Sequence, residues 1–250
     1  MMLPFTPTGY SQLLNALRAN HYRSITCDQL AAARDSGEKA VLIRHDVDMS
    51  LDYAHAMGQL EIEHCITSTY FVMLRSPLYN LWSRHNARRL REIVAMGHAI
   101  GLHFDAAFTQ GSERTIEEWI RFEVATLASL ADAPVVAFSL HQPTQVVLDQ
   151  KIQLPGLINT YHPQHLAGFT YLSDSNRDWR GKDPLSLIKG GEPNIQLLVH
   201  PLWWMNQNPT TQGCWDDVIT LNFQRMQEQL LATERAYGEA RTFSLKPATS

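Results

Sequence analysis

Short apolar runs alternate with amphipathic stretches along most of the chain. Seven runs rich in Val, Ile, Leu, Phe and Tyr lie at 40–46, 66–73, 98–104, 134–140, 156–160, 168–172 and 195–200. Their length and continuous hydrophobicity are those of strands buried on both faces. Between them, Ile116, Trp119, Ile120, Val124 and Leu127 recur at helical spacing, and Thr115 with Glu118 forms a capping box in front of them. Helices are also predicted over about 51–63 behind Ser50 and over about 84–96 ending at Gly97. Ile219, Phe223, Met226 and Leu230 predict a terminal helix starting near Asp216 and filling 214–237, while 1–39 reads as a helical lead-in. Strands separated by helices make βαβ units and a parallel sheet. About seven of them predict an α/β fold, a closed or nearly closed barrel with its working groups at the carboxyl ends of the strands. No repeat, low-complexity run or linker divides the chain, so 1–250 reads as a single domain.

Composition narrows the function classes. A chain of 250 residues, 44% hydrophobic and 18% charged, is globular and long enough to bury one large core. A net charge of −4 argues against nucleic acid or a membrane surface as partner. No stretch reaches the roughly 18 apolar residues of a membrane span. The first residues show no basic segment followed by an apolar core, so no secretory leader is expected. Cys27, Cys65 and Cys214 are odd in number and far apart, and read as reduced thiols. A cytoplasmic location is the resulting expectation. The count that stands out is eleven histidines.

Their positions sort them. The first strand ends Arg44-His45-Asp46-Val47-Asp48, and residues two apart on a strand share a face. Asp46 and Asp48 therefore project together, and two adjacent carboxylates repel unless a cation lies beside them. That suits one carboxylate as metal ligand and the other as base toward an activated water. Helix capping by Asp48 or Ser50 would account for neither Asp46 nor His45. Further along, His103 and Asp105 close the third strand, His141 the fourth and His200 the last. Three strands ending in histidine and one in paired aspartates point to a metal-dependent site at one rim. His98 opens its strand, at the wrong end for chemistry, and Gly97 and Gly101 permit close backbone approach. His21, His55, His64, His85, His162 and His165 are read as structural.

These segments resemble the polysaccharide deacetylase family, also called the NodB-homology or carbohydrate esterase family 4 domain. The likeness spans about 40–205 and rests on His45-Asp46-Val47-Asp48, on Gly97-His98-Ala99-Ile100-Gly101-Leu102-His103, and on Leu198-Val199-His200, with Asp178-Trp179 a weak match to a further motif. It implies a distorted (β/α) barrel and removal of N- or O-acetyl groups with a divalent metal. By it Asp46 is the base, Asp48 and His103 are metal ligands and His200 is the general acid. The His-Asp-Val-Asp variant and the His-Pro-x-Trp-Trp ending also look like a divergent branch among bacterial surface-polysaccharide and O-antigen synthesis proteins. Two departures stand out. The family's second metal histidine falls on Ala107, and the arginine of its third motif is absent from Leu140-His141-Gln142-Pro143.

A zinc ion would then need a third protein ligand, and His141 is the expected replacement. In the competing reading His141 hydrogen-bonds Asp46 and tunes it. Trp179, Trp203, Trp204, Tyr161 and Tyr171 are candidate faces for a sugar ring, and Asp174 a candidate polar contact. The expected partner is an acetylated sugar, nucleotide-linked, lipid-linked or within an oligosaccharide. Alternatives are hydrolysis of another C–N or ester bond, and a catalytically silent sugar-binding barrel.

Overall fold

The computed structural model describes residues 3–240; Met1, Met2 and 241–250 of the expected single domain lie outside the described residues. In chain order the elements are α1 (Pro7–Ala19), β1 (Arg23–Ile25), α2 (Leu30–Ser36), β2 (Ala40–Val47), α3 (Leu51–Glu63), β3 (Thr69–Val72), α4 (Arg84–Ala95), β4 (Ala99–Phe104) and α5 (Ile116–Ala131). There follow β5 (Val135–Leu140), α6 (Gln145–Asp149), β6 (Ile158–Asn159), β7 (Thr170–Ser173), α7 (Pro184–Gly190), β8 (Asn194–Val199), α8 (Pro201–Met205), α9 (Thr211–Thr233) and α10 (Arg235–Ala240).

All strand pairs are parallel, in the order β6-β5-β4-β3-β2-β8-β7, with β1 pairing the first residues of β2. The sheet curls into a distorted (β/α) barrel left open between β6 and β7, and forms one domain. Each of the seven predicted strands is present, with ends shifted by one to three residues. The lead-in is not wholly helical: three residues, Arg23–Ile25, form β1, too short to leave a periodic signal. The terminal helix begins at Thr211, because the Thr210 hydroxyl accepts from the Gly213 amide at 3.0 Å and caps it there, ahead of the first apolar repeat.

Strand alternation separates two environments. Val41, Ile43, Ile195, Leu197 and Val199 point outward and pack with α1 residues such as Leu13 and Leu17. Tyr70, Val72, Ile100, Leu102 and Phe138 do the same against α4 and α5. The other parity, Leu42, Phe71 and Ala137, fills the barrel interior. There Gly101 has a specific job. A Cβ at this position would lie 2.4 Å from the Phe71 ring, so only glycine lets that ring occupy the interior.

One buried polar hub stands in the outer layer. Glu61 of α3 accepts hydrogen bonds from Tyr10 at 2.6 Å, Ser68 at 2.7 Å and Tyr70 at 2.7 Å, and meets His45 Nε2 at 2.8 Å. His98 borders it, spanning from the Ser68 amide at 3.2 Å to the Gly58 carbonyl at 3.1 Å, which is a structural role. Burial works to raise the Glu61 carboxyl, but His45 and the surrounding donors outweigh it and hold the group at about 2.

Glu61→Leu would leave these donors buried without an acceptor and should cost about 3–5 kcal/mol in urea unfolding, as breaking a buried charged network does. The folded value lies below the unfolded 4.5, so wild-type stability should fall as pH drops from about 4.5 toward 2. The Leu variant should lack that component of the acid transition. A variant as stable as wild type at pH 7 would remove Glu61 as the hub.

Candidate metal centre

The inward parity of each strand delivers the polar groups to the carboxyl-end rim. On β2 the sequence Leu42, Arg44, Asp46 continues to Asp48 just past the strand. On β4 it passes through Gly101 to His103, on β5 through Ser139 to His141, and β8 leads to His200. His103 pairs with Ser139 across the ladder, and the His141 amide donates to the Phe104 carbonyl at 2.7 Å. His141 therefore stands one pleat further up, beside His103.

Asp48, His103 and His141 converge. Asp48 Oδ1 lies 3.0 Å from His103 Nε2 and 3.4 Å from His141 Nδ1, and the two nitrogens are 3.1 Å apart. His103 Nδ1 is 2.6 Å from Ser139 Oγ; with the proton donated there, Nε2 keeps its lone pair toward the cluster. Three lone pairs then face one another, and Asp48 Oδ1 is buried without a hydrogen-bond donor. Bonds of about 2.0–2.2 Å to a tetrahedral ion place ligand atoms about 3.3–3.6 Å apart, close to the observed triangle. The donor set and the orphaned oxygen fit a divalent cation.

Two groups flank this cluster. Asp46 is 4% exposed and Arg44 is 1% exposed, and Arg44 Nη2 donates to Asp46 at 2.8 and 3.1 Å. Arg44 is clamped further by a bond from Nη1 to Thr160 at 2.8 Å and lies between the Phe71 and Tyr161 rings. Burial works to raise the Asp46 carboxyl; Arg44, with His103 and His200, overcomes it and keeps the group below the ordinary carboxylate range. On the other flank His200 Nδ1 meets Asp174 Oδ1 at 2.6 Å, and the His200 amide donates to the same carboxylate at 3.1 Å. Nε2 is left facing Asp48 Oδ2 at 4.0 Å. Desolvation would lower this imidazole, but Asp174 outweighs it and raises His200 to about 9.

Several expected contacts fall elsewhere. Asp174 is buried and holds His200 and the Trp204 indole N–H (2.7 Å), so it positions the imidazole and faces no ligand. Trp204 and Trp179 are buried beside Phe5, where they pack α1 against the late loops. Neither offers a face to a sugar. Trp203 is buried too, yet it lines the cavity between Asp48 and His200 together with Met49, Leu202 and Trp215. Tyr161 covers Arg44, and Tyr171 is partly exposed. Asp105 caps the turn 106–109 by accepting from the Ala107 amide at 2.9 Å and stays out of the cluster. Arg44 and Ser139 were missed in the sequence, although each lies two residues before a chosen residue on the same face. The hydrogen bond to Asp46 that was weighed for His141 is made by Arg44.

No family model matches the chain, and no curated protein matches it. Among solved structures it is similar to a family 4 carbohydrate esterase from Bacillus anthracis, 13% identical over 86% of each chain with a TM-score of 0.45. It is also similar to a Streptococcus pyogenes deacetylase in complex with acetate, 13% identical over 75% of this chain and 87% of that one, TM-score 0.49. A third is a CE4 family pseudoenzyme from Bacillus anthracis, 16% identical over 75% of this chain, TM-score 0.40. The match covers 62% of that pseudoenzyme, so the chain spans less than two thirds of its length.

The ligand assignment separates the two aspartates by metal content. Purified wild type should carry about one divalent ion per chain, as a three-ligand site implies, whereas His141→Ala and Asp48→Asn should each lose it. Asp46→Asn and Arg44→Gln should keep it. Elemental analysis after dialysis decides, and retention by His141→Ala would return His141 to the tuning role.

Proposed function

We propose that this protein is a metal-dependent carbohydrate deacetylase, acting on an N-acetyl group of a sugar in the assembly of a bacterial surface polysaccharide such as O-antigen. The observation that carries this reading is what gathers at the rim: an arginine-held carboxylate and an aspartate-held imidazole, each within 4.0 Å of a three-ligand cluster. A binding module has no use for a base and an acid beside such a cluster. The resemblance of the strand-end motifs to polysaccharide deacetylases supports the choice of bond. Hydrolysis of another C–N or ester bond would use the same groups.

Two imidazoles and a carboxylate suit zinc, and a bound ion of this kind polarises a carbonyl and lowers the pKa of water. Asp46 is charged at neutral pH because Arg44 offsets its burial, so its carboxylate can take the proton of an attacking water. Arg44 also fixes its direction, leaving little rotamer freedom. His200 is the acid partner. Raised to about 9, it carries its proton at pH 7 and can release it from Nε2 to the leaving sugar nitrogen. Asp174 takes the Nδ1 proton as hydrogen bond and keeps Nε2 aimed at the rim. The apolar residues Met49, Leu202 and Trp203 around the cavity exclude water beside these groups.

Acetate release from a panel of N-acetylated sugars tests the reading. Asp46→Asn should abolish it with the ion retained, and His200→Asn should slow it by roughly 10²–10⁴, the range for a positioned acid or base. An acid active in its protonated form, with a value of about 9, puts the alkaline fall of the rate near pH 9. Removing the Asp174 charge lowers that value, so Asp174→Asn should shift the fall to lower pH. An unmoved profile would take His200 out of the acid role, and no acetate release by wild type with added metal would remove the function.

A further inference from the structure

The outer polar hub reaches the rim through one peptide bond. His45 and Val199 are the last partners in the β2–β8 ladder, and beyond them side chains take over. His45 Nδ1 lies 3.3 Å from the Val199 carbonyl. The amide of the same peptide, His200 N–H, donates to both carboxylate oxygens of Asp174 at 3.1 Å. A trans peptide directs its C=O and N–H to opposite sides, so this unit is gripped from β2 on one side and from the residue after β7 on the other. It is the peptide from which the His200 side chain hangs.

The ring that holds the carbonyl is itself fixed. His45 is fully buried, lies against the Tyr70 ring at 4.3 Å between centroids, and meets Glu61 Oε1 with Nε2 at 2.8 Å. Both ring nitrogens thus face acceptors, a carboxylate and a carbonyl, and a ring that satisfies both carries hydrogen on each. Glu61 is held in turn by Tyr10, Ser68 and Tyr70 at 2.6–2.7 Å. A chain of contacts therefore runs from α3 through the central strand to the backbone of the acid. Within it the two nitrogens do different things. The Nε2 contact satisfies the hub, whereas the Nδ1 contact serves β8 alone. Alignment at this point matters, because a misplacement of about 1 Å at a reacting group can cost roughly 10²-fold in rate.

We infer that His45 is a positioning residue for His200: anchored by Glu61, it fixes the Val199–His200 peptide and with it the direction of the acid's Nε2. The inference rests on the deacetylase reading for the acid's task and adds to that site a residue from the far face of β2. Two substitutions separate the contacts, since a Gln amide reaches about as far as Nε2 and an Asn amide about as far as Nδ1. His45→Gln keeps the donor to Glu61 and loses the one to Val199; His45→Asn does the converse. On an N-acetylated sugar that wild type turns over, His45→Gln should lower kcat on the order of tenfold or more with KM unchanged, and His45→Asn should restore the rate at a loss of stability in urea. On p-nitrophenyl acetate, whose phenolate leaves without an acid, His45→Gln should match wild type. Added to His200→Asn, it should cause no further loss. Hydrogen exchange needs no substrate: the His200 amide should exchange on the order of tenfold faster in His45→Gln. A nitrogen NMR spectrum of wild type needs no variant and should show a proton on His45 Nδ1. An unprotonated Nδ1, unchanged His200 exchange in His45→Gln, or equal losses on both substrates overturns the proposal. Wild type that releases no acetate from any substrate defeats the function, and the exchange and nitrogen measurements still decide the link.

Discussion

Arg44 and Asp46 form an ion pair on the inner face of the central strand, and the rim is arranged around it. Moving two such charges out of water costs several kcal/mol each, which Coulomb attraction recovers only with good geometry and further hydrogen bonds. The strand cannot shift to relieve this, because all eight of its residues are buried and its register is fixed on both sides. The partners are therefore built in: three bonds to the carboxylate, one from Arg44 to Thr160, and aromatic faces at Phe71 and Tyr161. Thr160 follows β6, so the pair also ties the central strand to the open edge of the barrel. A carboxylate held in this way is poorly placed to turn toward a cation. The ligand set accordingly forms one pleat above, at Asp48.

The same strand carries a second polar column on its other face. His45 Nδ1 lies 3.3 Å from the Val199 carbonyl and its Nε2 meets Glu61, so the outer hub reaches the backbone next to His200. Arg44, His45 and Asp46 are thus consecutive buried residues satisfied on alternate faces. Asp46 and His200 stand on or at the end of neighbouring strands, β2 and β8, whose separation is set by the ladder and by this link beneath it. Preorganisation here is a property of the layers below the site, as an electrostatic site requires.

What the sequence made legible was whatever repeats or falls at an element's end. Seven apolar runs gave the strands, and histidines at their carboxyl ends gave His103, His141 and His200. The residues that escaped notice act through tertiary contact. Arg44 read as one more strand residue, since nothing local says that Thr160 and Tyr161 come back to it from far along the chain. Ser139 is visible only once β5 is laid beside β4. Asp174, Trp179 and Trp204 lie deeper than a sequence suggests, for the opposite reason. Loop aromatics and carboxylates look exposed in a sequence, but here Phe5 and the start of α1 fold over Trp179 and Trp204, and His200 and Trp204 close on Asp174.

The resemblance would put a metal histidine at Ala107, and the fold shows why that position stands apart from the cluster. Four residues after His103 the chain is already in the turn 106–109, a segment shaped by Asp105 and by its own backbone. His141 comes instead from the end of β5, where its amide is bonded to the β4 carbonyl at Phe104. Two ligands on adjacent strands of one ladder inherit their spacing from the sheet, about 4.8 Å between strands, and need no loop to be ordered. Ser139, one pleat below, then orients His103 from the same strand. Ligand and orienting partner are thus delivered together by β5. The register between β4 and β5 becomes the element on which the cluster depends, since a slip of one residue would turn Ser139 and His141 to the outer face.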